Sequence, residues 1–138
     1  MMKVFEPLPP DTERLAKIVV DAAYKVHSGL GPGLLESVYE IVLAYELQQR
    51  GLRVNRQVPI SIRYKEMTFD EAFRADLIVE EKVVLELKSV ERVSEAHKKQ
   101  VQSYLRLTGY KLGFLLNFGE VLMKRGITRV VYGLEDRL

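Results

Sequence analysis

Cysteine is absent from the 138 residues, which excludes disulfides, thiolate zinc sites and cysteine nucleophiles together. Long apolar runs are missing as well, since none approaches the roughly 18 residues of a spanning helix. Met1 to Asp11 carries Pro7, Pro9, Pro10 and charge rather than the apolar stretch of a secretory leader. The expected location is therefore cytoplasmic, with no membrane partner. There is no internal repeat, linker or low-complexity tract. A large charge of one sign is also lacking: 21 basic against 19 acidic residues leave a formal +2. That is too little to argue for nucleic-acid binding without local clustering. What is present is a globular balance, 47% hydrophobic and 29% charged, in a length that suits one core. Residues 1–10 read as an N-terminal arm and 11–138 as a single domain.

Pro9, Pro10 and Asp11 end the arm, and Asp11 or Thr12 can cap a helix. From Glu13 to His27 the apolar residues Leu15, Ile18, Val19, Ala22, Ala23 and Val26 fall at helical intervals. Gly29, Gly31, Pro32 and Gly33 are expected to break that helix. A second helix is expected from Leu34 to Arg50, with Leu35, Val38, Val42, Leu43 and Leu47 as its core stripe and Gly51 as its stop. The period then changes to two: Val58, Ile60, Ile62 and Tyr64 alternate with Gln57, Ser61 and Arg63. Strands are expected over 73–79 and 83–88, separated by Glu80, Glu81 and Lys82. A third helix is expected over 94–108, ending at Gly109. Leu112 to Asn117 reads as a buried strand and Thr128 to Tyr132 as an edge strand. This order predicts an α/β fold, a mixed sheet flanked by helices.

The chemistry centres on Asp76 and on Glu86-Leu87-Lys88. In the strand from Val83, residues Val84, Glu86 and Lys88 share one face and Val83, Leu85 and Leu87 the other. If residues 80–82 form a three-residue hairpin loop, Asp76 lies directly opposite Glu86. Two carboxylates so placed repel, and one is driven to protonate unless a cation lies between them. Hard oxygen ligands with open positions suit Mg²⁺, with Mn²⁺ as a substitute. Lys88 can orient the attacking water or help to deprotonate it. Glu36, in the first turn of the second helix, also suits the helix dipole. Tyr39 and Glu40 share its face, and Tyr39 is a candidate substrate contact. Gln100 and Tyr104 share a face of the third helix, with His97 a turn earlier. Lys98, Lys99 and Arg106 on that helix, with Lys124, Arg125 and Arg129, are candidate phosphate contacts beside the cleft. His27 reads as a helix C-terminal cation.

The segment Gly33-Leu34-Leu35-Glu36-Ser37-Val38-Tyr39 resembles the motif of the GxxExxY family, a branch of the PD-(D/E)xK nuclease superfamily. The resemblance runs from Ile18 to Gly133. It includes Leu30-Gly31-Pro32-Gly33, Arg74-Ala75-Asp76-Leu77, Glu86-Leu87-Lys88-Ser89 and Gln100-Val101-Gln102-Ser103-Tyr104-Leu105. It implies a restriction-endonuclease-like αβββαβ core that hydrolyses phosphodiester bonds, here preceded by an extra N-terminal helix. In the RecB-type branch, the roles fall on Glu36, Asp76, Glu86, Lys88, Gln100 and Tyr104. Asp76 and Glu86 would bind the metal with the Leu87 backbone carbonyl, and Glu36 would hold a metal water or a second ion. Gln100 and Tyr104 would hold the phosphate or position the helix. Ala75 stands where the superfamily name has Pro.

The leading expectation is a metal-dependent nuclease acting on nucleic acid, with DNA the favoured substrate, in repair or defence. It is expected to work as a homodimer or within a complex, because one small domain offers few phosphate contacts. The rival is a nucleic-acid- or protein-binding subunit that keeps the fold without turnover. A metal-binding housekeeping protein is the third reading.

Overall fold

The computed structural model describes residues 8–132. The N-terminal arm before Leu8 and the chain beyond Tyr132, including the last residue of the family resemblance, lie outside the described residues.

Helix α1 spans Pro10–Leu30. Pro10 suits a first helical position, where its missing N–H is no loss. The N-cap is Pro9 rather than Asp11 or Thr12; Asp11 lies inside the first turn, where its carboxylate accepts the Thr12 N–H at 3.0 Å and meets Lys82. Gly29 does not break the helix. It ends at Gly31, which turns left-handed (φ 73°) and donates its N–H to the His27 carbonyl at 2.7 Å. Helix α2 spans Glu36–Gln49, beginning two residues later than expected. The Tyr39 hydroxyl is the reason: it donates to the Gly31 carbonyl at 2.6 Å and accepts the Leu34 N–H at 3.0 Å, which holds Leu34 in the loop. Leu35 is therefore not part of the core stripe and is 74% exposed. The buried face of α2 is Tyr39, Glu40, Leu43, Ala44 and Leu47.

Five strands follow the expected order: β1 (Val54–Tyr64), β2 (Met67–Val79), β3 (Val83–Lys88), β4 (Leu112–Asn117) and β5 (Ile127–Val131). β1 and β2 each begin earlier than the pattern suggested, Val54 rather than Gln57 and Met67 rather than Phe73. Helix α3 (Glu95–Thr108) joins β3 to β4. Ser94 caps its start in a reciprocal capping box with His97, and Gly109 closes its end in the left-handed region. His97 is thereby given a capping role. A short helix, α4 (Met123–Gly126), precedes β5 and was not foreseen. Among the described residues no helix is long and apolar enough to cross a membrane.

The strands form one mixed sheet in the order β1-β2-β3-β4-β5, with only the β3–β4 pair parallel. Helices α1 and α2 cover one face, burying Leu77, Val79, Val83, Leu85, Leu87, Leu112, Phe114 and Leu116. Helix α3 covers the other, over Ala75, Ile78, Val84 and Leu115. This is the α/β arrangement of a restriction-endonuclease-like core with an added N-terminal helix. The three-residue loop after β2 forms as expected. Val79 pairs with Val83, Glu80 and Glu81 turn left-handed, and Arg53 brackets Glu80 through its N–H at 2.6 Å and its carbonyl at 2.9 Å. That loop sets the register on which the site depends.

Candidate active site

β2 and β3 pair only over Leu77–Val79 and Val83–Leu85. One step further, Asp76 and Glu86 stand at the point where the strands part. There the Asp76 carboxylate accepts the Leu87 N–H at 2.8 Å in place of a backbone rung. The facing of side chains also changes at this step. Leu77 and Val79 belong to the α1/α2 core, whereas Phe73 and Ala75 lie on the α3 side. The partner strand makes the same switch at Gln57, a non-glycine residue at φ 50°. The pairs flanking it, Arg56 with Leu77 and Val58 with Ala75, keep one register. Both strands thus kink together beside Asp76, and local backbone strain of this kind is characteristic of functional positions.

Glu86 is buried, with 5% of its surface exposed, and its Oε2 atom has no hydrogen-bond partner among the described residues. Burial first, then the Asp76 carboxylate, push its carboxyl up to about 8 against the opposing pull of Lys88. The Lys88 ammonium lies 3.7 Å from Glu86 Oε1. This is a contact longer than a hydrogen bond, so it leaves the carboxylate under-satisfied. On the α3 side, Tyr104 stacks on Phe73 with ring centres 3.9 Å apart and planes at 2°. Burial, followed by the charges of Glu86 and Asp76, pushes its hydroxyl up to about 12. A phenol so shifted stays protonated and remains a donor at every physiological pH.

On the α2 side, Glu40 is buried and accepts Arg56 at 3.0 and 3.2 Å and the Gln57 amide at 2.5 Å. The same Gln57 nitrogen reaches Asp76 Oδ1 at 3.4 Å. The kinked Gln57 thus spans two carboxylates and holds one side of Asp76. Arg56 and Gln57 escaped the sequence reading because the face switch hides the alternation of β1 at its start. Glu40 does carry a signal in the sequence: it is a carboxylate at the core spacing of Leu43, Ala44 and Leu47. Glu36 and Ser37 join Glu40, Arg56, Gln57 and Asp76 around an open cavity of about 370 Å³. Glu36 also lines a neighbouring cavity of about 750 Å³ with Gly33, Leu34, Leu35, Ser89, Val90, Glu91 and Gly119.

The structure therefore brings together Asp76, Glu86, Leu87, Lys88 and Tyr104, with Glu36 across the cavity. Leu87 offers its N–H to Asp76 and buries its side chain. Gln100 is exposed one turn before Tyr104 on α3. Lys98 is half-buried, 3.4 Å from Glu95, while Lys99 and Arg106 are exposed on the same helix. Lys124 and Arg125 are exposed on α4, but Arg129 is not beside the cleft. It lies on β5, at the sheet edge opposite the β1–β2 pair, bonded to Glu13 at 2.5 Å. Tyr39 is also corrected. It is fully buried, stacked on Phe118 at 4.5 Å with its hydroxyl engaged twice by the Gly31–Leu34 loop, so it anchors a loop and has no surface to offer a substrate.

Among the described residues no three carboxylates or imidazoles converge tightly enough to hold an ion by side chains alone. The donors that do converge are Asp76 and Glu86, with Glu86 Oε2 orphaned. Two hard oxygen ligands with positions left for water and phosphate fit a small divalent cation.

A model of the PD-(D/E)XK nuclease superfamily matches residues 13–130. No curated protein matches the chain, and no solved structure does. Divalent metals and phosphodiester hydrolysis are general to that superfamily, and a match over this share of the sequence, on a mixed sheet whose diverging strands carry an acid and an acid-x-lysine triplet, shows that the chain belongs to the PD-(D/E)XK nuclease superfamily.

Proposed function

We propose that this protein is an Mg²⁺-dependent nuclease of the GxxExxY, RecB-type branch that hydrolyses phosphodiester bonds of DNA. One observation carries the reading: a buried carboxylate with an orphaned oxygen, opposed to a second carboxylate, with a lysine and a protonated tyrosine beside them. Buried polar groups are almost always satisfied, and one that is not calls for an explanation such as an ion. Asp76 and Glu86 hold the metal, with the Leu87 carbonyl as a third donor and Glu36 acting through water. When bound, the cation supplies Lewis acidity and lowers the pKa of a ligated water. Lys88 orients the attacking water and offsets charge that grows on the phosphorane. Tyr104, kept protonated by its surroundings, donates to a non-bridging phosphate oxygen, and Gln100 contacts the same phosphate from the turn before. Lys98, Lys99 and Arg106 hold the flanking backbone of the strand. Gln57 and Glu40 keep Asp76 aimed at the ion.

The test is cleavage of plasmid and end-labelled oligonucleotides by the purified chain in Mg²⁺, Mn²⁺ or EDTA. Metal-dependent cutting that disappears in Lys88→Ala is the expected result. Binding of nucleic acid with no cutting in either metal would replace this reading with that of a non-catalytic binding subunit.

A further inference from the structure

The β1–β2 ribbon is longer than the sheet it belongs to. β2 meets β3 only over Leu77–Val79, so among the described residues the stretch 67–74 has β1 as its sole strand neighbour. Directly opposed residues of antiparallel strands share a face. The opposed pairs here are Val58 with Ala75 and Ile60 with Phe73 and, beyond a register shift that leaves residues 70–72 unpaired, Ile62 with Phe69 and Tyr64 with Met67. Every member is apolar, and a shift of two residues keeps them on one face. The reverse face carries Pro59 with Arg74 and Arg63 with Thr68. Near the root the apolar face is covered: Ala75 lies in the α3-side core, with Val58, Ile60 and Phe73 packed against it. Towards the tip it is bare, with Tyr64, Met67 and Phe69 exposed by 61%, 58% and 47%. A two-stranded ribbon is marginal in water by itself, and a contiguous bare apolar patch marks an interaction surface.

Three features select the occupant. A polyanion needs free positive charge, but the stretch 54–79 carries Arg56, Arg63, Lys65 and Arg74 against Glu66, Asp70, Glu71 and Asp76. Two of those arginines are already committed, Arg74 to Glu71 at 2.6 Å and Arg56 to Glu40 at 3.0 Å. A balanced ribbon suits self-pairing instead, because a two-fold interface sets each patch against its own copy and any net charge would repel itself. Pairing by strand addition along the free edge of β1 is blocked by Pro59 and the left-handed Gln57, which leaves the face. Tyr64, Met67 and Phe69 offer on the order of 300–400 Å² per copy, about half of the ~800 Å² per partner of a standard interface. That is the proportion of an apolar centre within a polar rim.

We propose that a second copy of this chain docks on this ribbon face about a two-fold axis, with Ile62, Tyr64, Met67 and Phe69 of each copy at its centre. The interface does not depend on the nuclease reading, since its residues lie outside the candidate site. The decisive experiment is sedimentation equilibrium of the full chain across a micromolar concentration series. A dimer is expected, with Tyr64→Ser/Phe69→Ser raising its dissociation constant by roughly thirtyfold or more. Leu107→Ser, at an exposed apolar position on α3, should leave it unchanged. The chain has no cysteine, so Tyr64→Cys and Phe69→Cys provide single thiols that a short bis-maleimide should join between copies, whereas Leu35→Cys should not cross-link. If the double serine variant loses its circular dichroism signal, cross-linking at positions 64 and 69 decides, for or against. A wild-type chain that is monomeric throughout overturns the proposal, as does a dimer cross-linked at position 35 but not at 64 or 69. A monomer whose oligonucleotide binding collapses in the double variant also overturns it, and makes the ribbon a nucleic-acid surface.

Discussion

Two adjacent strands each bury a polar side chain, and the contrast between them separates architecture from chemistry. Asn117 ends β4 at 1% exposure. Its Oδ1 accepts the N–H groups of Val90 and Gly119 at 3.0 Å each, and its Nδ2 donates to the Val90 carbonyl at 2.9 Å. The oxygen of that amide is matched twice and its nitrogen once, and its work is to tie the loop after β3 to β4. Glu86 on β3 is almost as buried but has an orphaned oxygen, a carboxylate neighbour and a lysine just beyond hydrogen-bonding range. A satisfied buried amide stabilises the fold, whereas an unsatisfied buried acid next to another acid destabilises it.

The sharpest way to test this contrast is through the lysine. Lys88→Ala should lower the turnover of labelled oligonucleotide by roughly 10²–10³-fold while leaving Mn²⁺ affinity measurable by calorimetry, because an ammonium is not a ligand. Cleavage at the wild-type rate would remove Lys88 from the chemistry. On the architectural side, Asn117→Ala strands three part-buried backbone groups and should cost about 2–4 kcal/mol in urea unfolding. A loss below the error of the extrapolation would mean that water replaces the amide.

Glu86→Gln should act in the opposite direction on the metal-free protein. The wild-type carboxyl is raised from an ordinary 4.5 to about 8 in the fold. Its contribution to stability is therefore fully present below 4.5 and is lost as pH rises towards 8. Glutamine removes that loss, so the variant's advantage should be near zero at pH 4.5, grow with pH and level off above 8. The plateau is expected at a few kcal/mol, with the shift from 4.5 to about 8 setting an upper bound on the order of 5 kcal/mol. Thermal melts in EDTA across that range check it, and a pH-independent difference would deny the raised acid. The smallest effect is expected at the strand kink. Gln57→Gly relieves a left-handed backbone but deletes the amide between Glu40 and Asp76. Stability should change by less than about 1 kcal/mol, and Mn²⁺ affinity should fall about tenfold.

Much of this was legible along the chain. Helical periodicity marked α1, α2 and α3. The apolar runs mark β3 and β4, and the three residues between Val79 and Val83 are enough to place Asp76 opposite Glu86. These features depend on neighbours close in sequence, where side-chain period and turn length are enough to determine the answer.

Other features depended on partners distant along the chain. β1 looked shorter than it is because it switches faces at Gln57, and a pattern that changes phase midway does not read as alternation. β2 looked shorter because a register shift opposite Ile60–Ile62 leaves residues 70–72 out of the pairing. Tyr39 looked like a site residue by its spacing from Glu36. Only the fold turned it inward, against Phe118 and the Gly31–Leu34 loop. Glu40, Arg56 and Gln57 come from a helix and a strand that meet only when α2 packs beside β1. The sequence alone determined which residues could carry the chemistry and the order of the elements that hold them. Tertiary structure decided that Glu86 is dry, that its Oε2 is left unpaired and that Asp76 is gripped from its far side, because burial and electrostatic shifts are set by everything that surrounds a group and not by its neighbours in the chain.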